Sequence, residues 1–437
     1  MSTTTRRATI VGAGQGGLHL AFGLLKDGWE VTILTDRTPD EYRAMGLLSS
    51  HTLQQRSVAM EAAAGIDVYD GLTDNRSAGV DFALSLDGSE VALAFLGDFE
   101  APATAIDLRL KYALLLERFA ARGGRVVHRA ATVADLEELT ARGESVFVAA
   151  GKGELSRLFA VDEARTVYDR PQRRLMIAMF DGMKVLRPEQ QDRISFCFRP
   201  GLGEIFLGPN VHKDDRAVRT ILIEALPGSE MDLLDQVTDG ASAVAVAQEI
   251  VTRFAAWEAD AVTALTLTDE RAFLRGALRP CVRHPVATLP SGGEVFGLGD
   301  VTIVNDPVAG QGGNCATHGV DHLLRALREH DGDDVSGDWY QATFDDFWER
   351  EGQYFVAFSN LLLEPPGEPA QLILGASAGS RAVADAFGAT FAEPERLVRA
   401  TASLESARAF VAAADPAAAV PGAEPAAAPA PAPTPAA

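Results

Sequence analysis

This chain is poor in basic residues and in cysteine. Lys and Arg together number 39 against 61 Asp and Glu, a formal charge of −22, so its field repels phosphate backbones and anionic headgroups. Nucleic acid and membrane are excluded as partners on that ground. The three cysteines, Cys197, Cys281 and Cys315, lie far apart with no C-x-x-C spacing. They read as reduced, buried thiols of a cytoplasmic protein, not as a disulfide framework. The eight histidines form no ligand pair, and Asp333-Asp334 and Asp345-Asp346 read as solvated faces, so no metal is expected. There is no run of about 20 apolar residues to cross a bilayer. Arg6-Arg7 precedes an apolar stretch, but Gly12, Gly14, Gly16 and Gly17 interrupt it and no small-residue cleavage site follows. A first strand explains that stretch better than a signal segment does.

What the chain has in quantity is glycine in ordered positions. The run Ala8-Thr-Ile-Val-Gly-Ala-Gly-Gln-Gly-Gly17 is a short buried strand ending in Gly12, Gly14 and Gly17, the spacing of a dinucleotide fingerprint. The first glycine permits a tight turn, the second lets backbone approach a pyrophosphate, and the third lets the next helix lie against the sheet. That helix is expected near Leu18, with Leu18, Phe22 and Leu25 on one face and its free N–H groups toward the phosphates. Gly28 stops it, a second strand Glu30-Val-Thr-Ile-Leu34 follows, and Asp36 then stands about twenty positions after Gly17, where an acidic side chain accepts from a ribose hydroxyl.

The 437 residues are enough for two or three domains, or one domain with a large insertion. A helix opening at Asp107 and ending at Gly123-Gly124 returns to a strand at 125–128, and 145–150 reads as a buried strand. From about 170 the pattern changes to alternation, with Ile194, Phe196 and Phe198 against Ser195, Cys197 and Arg199. Further strand-like runs at 175–180, 205–207 and 220–225 complete an expected antiparallel sheet with one solvated face. After a helix around 241–257, the chain returns to a buried strand at 294–298. The reading is an α/β Rossmann-type nucleotide-binding domain in two parts, 1–169 and 286–414, the second carrying C-terminal helices. An antiparallel-sheet substrate domain, 170–285, is inserted between them. The ring-rich region from Trp339 to Phe358 reads as core, and the Pro/Ala tail at 415–437 as disordered.

Gly297-Leu-Gly-Asp300 ends the late strand, and Asn305-Asp-Pro-Val-Ala-Gly-Gln-Gly-Gly-Asn314 leads into a long helix. At a strand terminus an aspartate can accept from ribityl hydroxyls, and a glycine-rich turn opening a helix presents backbone N–H groups to an electron-rich ring. The alternative is a loop that merely covers the sheet.

Together Gly12–Gly17, Thr35-Asp-Arg-Thr-Pro-Asp-Glu-Tyr42, Asp107-Leu-Arg109, Gly297–Asp300 and Asp306-Pro-Val-Ala-Gly-Gln-Gly312 resemble the styrene and indole monooxygenases, the oxygenase components of two-component FAD-dependent epoxidases. The resemblance runs from about residue 7 to the Phe391-Ala-Glu-Pro-Glu-Arg396 segment. It implies a para-hydroxybenzoate hydroxylase-like architecture with FAD held by Gly12, Ala13, Gly14, Gly17, Asp36, Arg37, Arg109, Gly299, Asp300, Pro307, Gly310, Gln311, Gly312, Gly313 and Asn314. Arg109 would lie near the phosphate–ribityl portion and the 307–312 loop beside the isoalloxazine. It also implies oxygen transfer from a flavin C4a-hydroperoxide to styrene-like alkenes, indole or aryl sulfides. The partners implied are O2, a small aromatic substrate, a separate NADH-dependent flavin reductase and a second copy in a homodimer. Ser49, Ser50 and Pro307 would border the reacting oxygen, and Leu47, Leu48, Ile221 and Ile223 the substrate; a turn or cap role for the two serines stays open. His51 reads as structural, because this oxygen transfer needs no general base.

Two departures matter. Single-component hydroxylases of this fold carry an Asp-Gly pair after the middle strand, where this chain has Ala149-Ala-Gly-Lys-Gly153. That favours flavin reduced elsewhere over a self-sufficient NAD(P)H hydroxylase; a non-catalytic nucleotide-binding module remains the other alternative. In the loop after Tyr42, Leu47-Leu48-Ser49-Ser50 has serine where styrene-type members have asparagine, closer to the indole-preferring pattern.

Overall fold

The computed structural model describes residues 6–418 except Asp70, Lys152 and 331–334. Asp333-Asp334 and the tail from 419 onward lie outside the described residues. Among those described, no helix is long and apolar enough to cross a membrane, no group of three or more His, Cys, Asp or Glu side chains is placed to hold a metal, and all three cysteines are buried and free.

Near-continuous apolar runs in Arg7–Val11 and Ser145–Val148 dictate strands covered on both faces. They lie at the centre of a six-stranded sheet ordered Val286–Thr288, Glu294–Gly297, Ser145–Val148, Arg7–Val11, Glu30–Thr35, Arg125–His128. All of its pairings are parallel except that of the edge strand Val286–Thr288. Ile10, Ile33 and Phe147 pack among side chains of the helices Gln15–Lys26, Leu108–Ala121 and Gly312–Glu329. Val11, Leu34, Val146 and Val148 point the other way, toward helix Val133–Ala141. The chain leaves Arg7–Val11 to one side for Glu30–Thr35 and later returns to its other side with Ser145–Val148. The carboxyl end of Arg7–Val11 is therefore the switch point at which such sheets bind ligands.

The second sheet departs from expectation in three ways. It is not confined to 170–285: Ser77–Leu84 and Leu93–Ala105 belong to it. It is mixed, because Ser77–Leu84 runs parallel to Arg193–Arg199. It also has no solvated face at its centre, and Gly203–Val211 is buried at every position. One face, with Ile205, Leu207, Ile221 and Ile223, packs on helix Gly240–Phe254. The other, with Phe82, Phe196 and Phe206, packs on the C-terminal helices. Those helices lie far along the chain, so local alternation could not disclose the second cover. The ring-rich region is core as expected, with Tyr340, Phe344, Phe347, Phe355 and Phe358 buried.

Candidate flavin and substrate site

At the switch point, the strand carrying Val11 turns through Gly12 at φ +107°, a conformation L side chains rarely adopt. A Cβ on Gly12 would also stand 2.9 Å from the backbone nitrogen of Ala150. A Cβ on Gly17 would collide with the carbonyl oxygen of Gly12, so helix and turn are in closest contact there. Gly14 differs: a Cβ there meets nothing within 4 Å. It is the N-cap of helix Gln15–Lys26, and no side chain caps that end. The helix starts at Gln15, earlier than expected, because Gly14 already holds the extended cap conformation. Its first N–H groups have no intrahelical acceptors and face a cavity of about 650 Å³ lined by Gly12, Ala13 and Gly14.

The cavity runs along the carboxyl ends of the parallel strands. Asp36 and Arg37, ion-paired at 3.2 Å, border one end with Arg129 and Thr132. Gly299 and Asp300 border the other. Gly151 lines the same cavity, and a Cβ on it would lie 2.7 Å from that of Asp300, so its bareness lets the middle and late strands converge. Sequence reasoning missed Arg129 and Thr132. Their signal is position alone, just beyond the end of the parallel strand Arg125–His128.

Beside Asp300 lies a second cavity of about 170 Å³. Ser49, His51, Asp300, Gly312 and Gly313 line both. Helix Gly312–Glu329 begins here, again without a side-chain cap. Pro307 and Gly310 border the second cavity, whose apolar walls include Ile177, Phe196, Phe206 and Leu222. Ser50 also lines it, its hydroxyl accepting from the Asn210 amide at 3.0 Å. His51 packs against Gly313, where a Cβ would lie 2.9 Å from its ring. Burial, reinforced by the Lys111 charge, lowers the His51 pKa to about 4, so its ring is neutral at ordinary pH. Its Nδ1 is buried with no hydrogen-bonding partner among the described residues.

Several expected site residues do other work. Arg109 is fully buried, donates to Asp107 and Asp269, and is absent from the cavity lining. Its guanidinium ties the 107–109 turn to the second sheet's side of the molecule. Gln311 points away, donating to the carbonyl of Phe391 at 3.1 Å. Asn314 is a clamp: its Oδ1 accepts from the Gln54 backbone at 2.9 Å and the Ser57 hydroxyl at 2.7 Å, and its amide donates to the Thr52 and Gly310 carbonyls. Leu47 sits in a small core with Met179 and Val218. Leu48 lines the larger cavity, not the smaller. Ile221 and Ile223 face helix Gly240–Phe254; Thr220 and Leu222, one step out of phase, line the apolar cavity instead.

Two buried polar clusters support the cavity walls. The Lys111 ammonium donates to Gln15 and to Glu61, each at 2.8 Å, and to the Tyr69 hydroxyl. Gln15 donates in turn to Thr317, whose hydroxyl bonds the Gly313 carbonyl. Burial works against the charge of Glu61, but Lys111 outweighs it and holds the carboxylate below its usual range. The N-termini of the two glycine-motif helices are thereby joined. Under the 307–309 turn, burial followed by mutual repulsion raises Glu224 well above its usual range, and burial also raises Asp306.

Residues 151–260 match the family described as "Styrene monooxygenase A putative substrate binding domain". Styrene monooxygenase StyA of Pseudomonas fluorescens is 29% identical over 407 residues, covering 90% of this chain and 94% of the relative. Among solved structures, a flavoprotein/dehydrogenase from Cytophaga hutchinsonii superposes with a TM-score of 0.63 at 13% identity, over 92% of this chain and 98% of its own. The tetrameric form of 2-methyl-3-hydroxypyridine-5-carboxylic acid oxygenase gives 0.56 at 17% identity, over 93% and 97%. At such identities the structures establish the shared flavoprotein fold and nothing finer. StyA matches along nearly the whole chain and the substrate-domain family matches its middle, so this chain is similar to the styrene monooxygenase A proteins.

Proposed function

We propose that the chain is the oxygenase component of a two-component monooxygenase, taking FAD reduced by a separate NADH-dependent flavin reductase and using O2 to oxygenate a small apolar aromatic: a styrene-like alkene, an indole or an aryl sulfide. The observation that carries this reading is the adjacency of the two cavities, which share Ser49, His51, Asp300, Gly312 and Gly313 as wall. A polar, glycine-floored groove suited to a dinucleotide lies directly beside an apolar chamber.

The residues present fit FAD. The open face of Gly14 at an uncapped helix end suits a pyrophosphate, Asp36 suits a ribose, and Asp300 suits ribityl hydroxyls. The 650 Å³ groove is within the usual size of cofactor sites. When bound, reduced FAD would supply the electrons that activate dioxygen. The chain's own tasks are then to hold, orient and keep dry. Backbone N–H groups at Gly312 and Gly313, at the positive end of their helix, favour negative charge beside them. Neutral His51 adds no competing charge there. Phe196, Phe206 and Leu222 exclude water and present an apolar substrate, while Ser49 and Ser50 offer hydroxyls at the junction. The family resemblance supports a homodimer. Ala149-Ala150 in place of an Asp-Gly pair supports external reduction.

The test is to incubate the protein with FAD, NADH and styrene, indole or thioanisole, with and without a flavin reductase. Oxygenated product should form only when the reductase is present. NADH consumption by the chain alone would turn the reading toward a self-sufficient hydroxylase.

A further inference from the structure

A third cavity, of about 280 Å³, lies beyond the inner apolar chamber. Its deep end is formed by Phe196, Phe391, Ile373 and Leu397, all buried. Its mouth is formed by exposed Gly201, Leu226 and Pro365. Phe196 and Phe391 line both this cavity and the inner chamber. Their rings meet edge to face with centroids 5.4 Å apart, so the partition between the two spaces is one layer of aromatic rings. Phe391 lies in the turn between helices Arg381–Ala389 and Pro394–Ala400. Its carbonyl is held by Gln311, next to Gly312 at the flavin groove, while its ring is held by packing against other phenylalanines. An aromatic ring held by packing alone can rotate without breaking a hydrogen bond.

The chemistry of the walls selects a neutral occupant. Arg173 is committed to Glu204 at 2.8 Å and to the Leu363 carbonyl, and Arg199 to the carbonyls of Ser85 and Phe254. A charged ligand would have to displace one of these buried partners. The passage also shares no lining residue with the flavin groove.

We propose that this passage admits the neutral aromatic substrate to the inner chamber, with the Phe391 ring as its gate, separately from the groove that receives the flavin. The identity of the substrate rests on the function proposed above; the passage itself does not. The probe is 4-bromostyrene soaked into crystals of the full chain, located by the anomalous scattering of bromine. Wild-type protein should show bromine in both the passage and the inner chamber. Ala370 lines the passage on helix Glu368–Gly379 and is half-buried, so Ala370→Trp should plug it at small cost to the fold. In that variant the bromine in the passage should vanish and kcat/KM for styrene should fall about tenfold, with kcat and the Kd for FAD kept. Bromine in the wild-type inner chamber alone, or an unchanged kcat/KM in Ala370→Trp, would overturn the proposal. A wild-type protein that makes no product with the reductase yet holds bromine in both spaces would defeat the oxygenase reading and leave the passage standing.

Discussion

Gly14 and Gly17 sit three residues apart in one motif and do opposite work. The space around Gly14 is open and the space around Gly17 is filled. Gly14→Val should therefore fold normally and lose FAD binding, because its side chain would stand where a pyrophosphate approaches; near wild-type affinity by equilibrium titration would remove Gly14 from the site. Asp300→Ala should weaken FAD by about 1–3 kcal/mol if the carboxylate accepts charge-assisted bonds from the ribityl chain, and an unchanged Kd would exclude it. His51 carries a pH prediction. Its pKa is about 4 in the folded chain against an ordinary value of 6.5, so between those values the unfolded chain binds the extra proton. Stability should be full above the ordinary value and fall as pH drops through that window. His51→Gln should lose stability less steeply over the same range in chemical denaturation, and parallel curves would contradict the burial argument. His51 was visible in the sequence, but its place at the junction of two cavities depends on Gly313, brought there from a distant helix.

At the scale of elements, the alternation of a strand decides which side chains can meet substrate. The run at 220–225 was legible as a strand, but its facing was not: both Ile221 and Leu222 are apolar, and the sheet is covered on both sides. Assigning Ile221 and Ile223 to the substrate amounts to a one-residue phase error. Ile223→Ala should cost about 2–5 kcal/mol of stability and leave the styrene-to-indole ratio of kcat/KM alone. Leu222→Ala should change that ratio instead. The reverse pattern would mean that the apolar chamber is not the substrate site. The glycine turns were legible because each is a local device read within a few residues. Arg109 does other work for the complementary reason: Asp107, two residues away, pairs its guanidinium, but the second partner that turns it away from the groove, Asp269, is remote in sequence.

Across the whole molecule, the parallel sheet, its discontinuous second part and both glycine motifs could be read from the chain. The cover on the second sheet and the Lys111–Glu61–Gln15–Thr317 network could not, because their members come from segments brought together only by folding. That network couples the two halves of the groove. Lys111→Met should destabilise the fold by about 3–5 kcal/mol by stranding the Glu61 carboxylate, and adding Glu61→Gln should recover part of the loss; strictly additive losses would argue against a coupled pair. The central claim is that this scaffold joins a flavin groove to an apolar chamber so that externally reduced FAD can oxygenate an aromatic. It is tested most directly by mixing the protein anaerobically with photoreduced FAD and styrene, admitting ¹⁸O2 without NADH or reductase, and analysing the product by mass spectrometry. The expected result is ¹⁸O-labelled styrene oxide, absent with Gly14→Val. A folded wild-type protein that binds reduced FAD but yields no labelled product from styrene, indole or thioanisole would contradict the account.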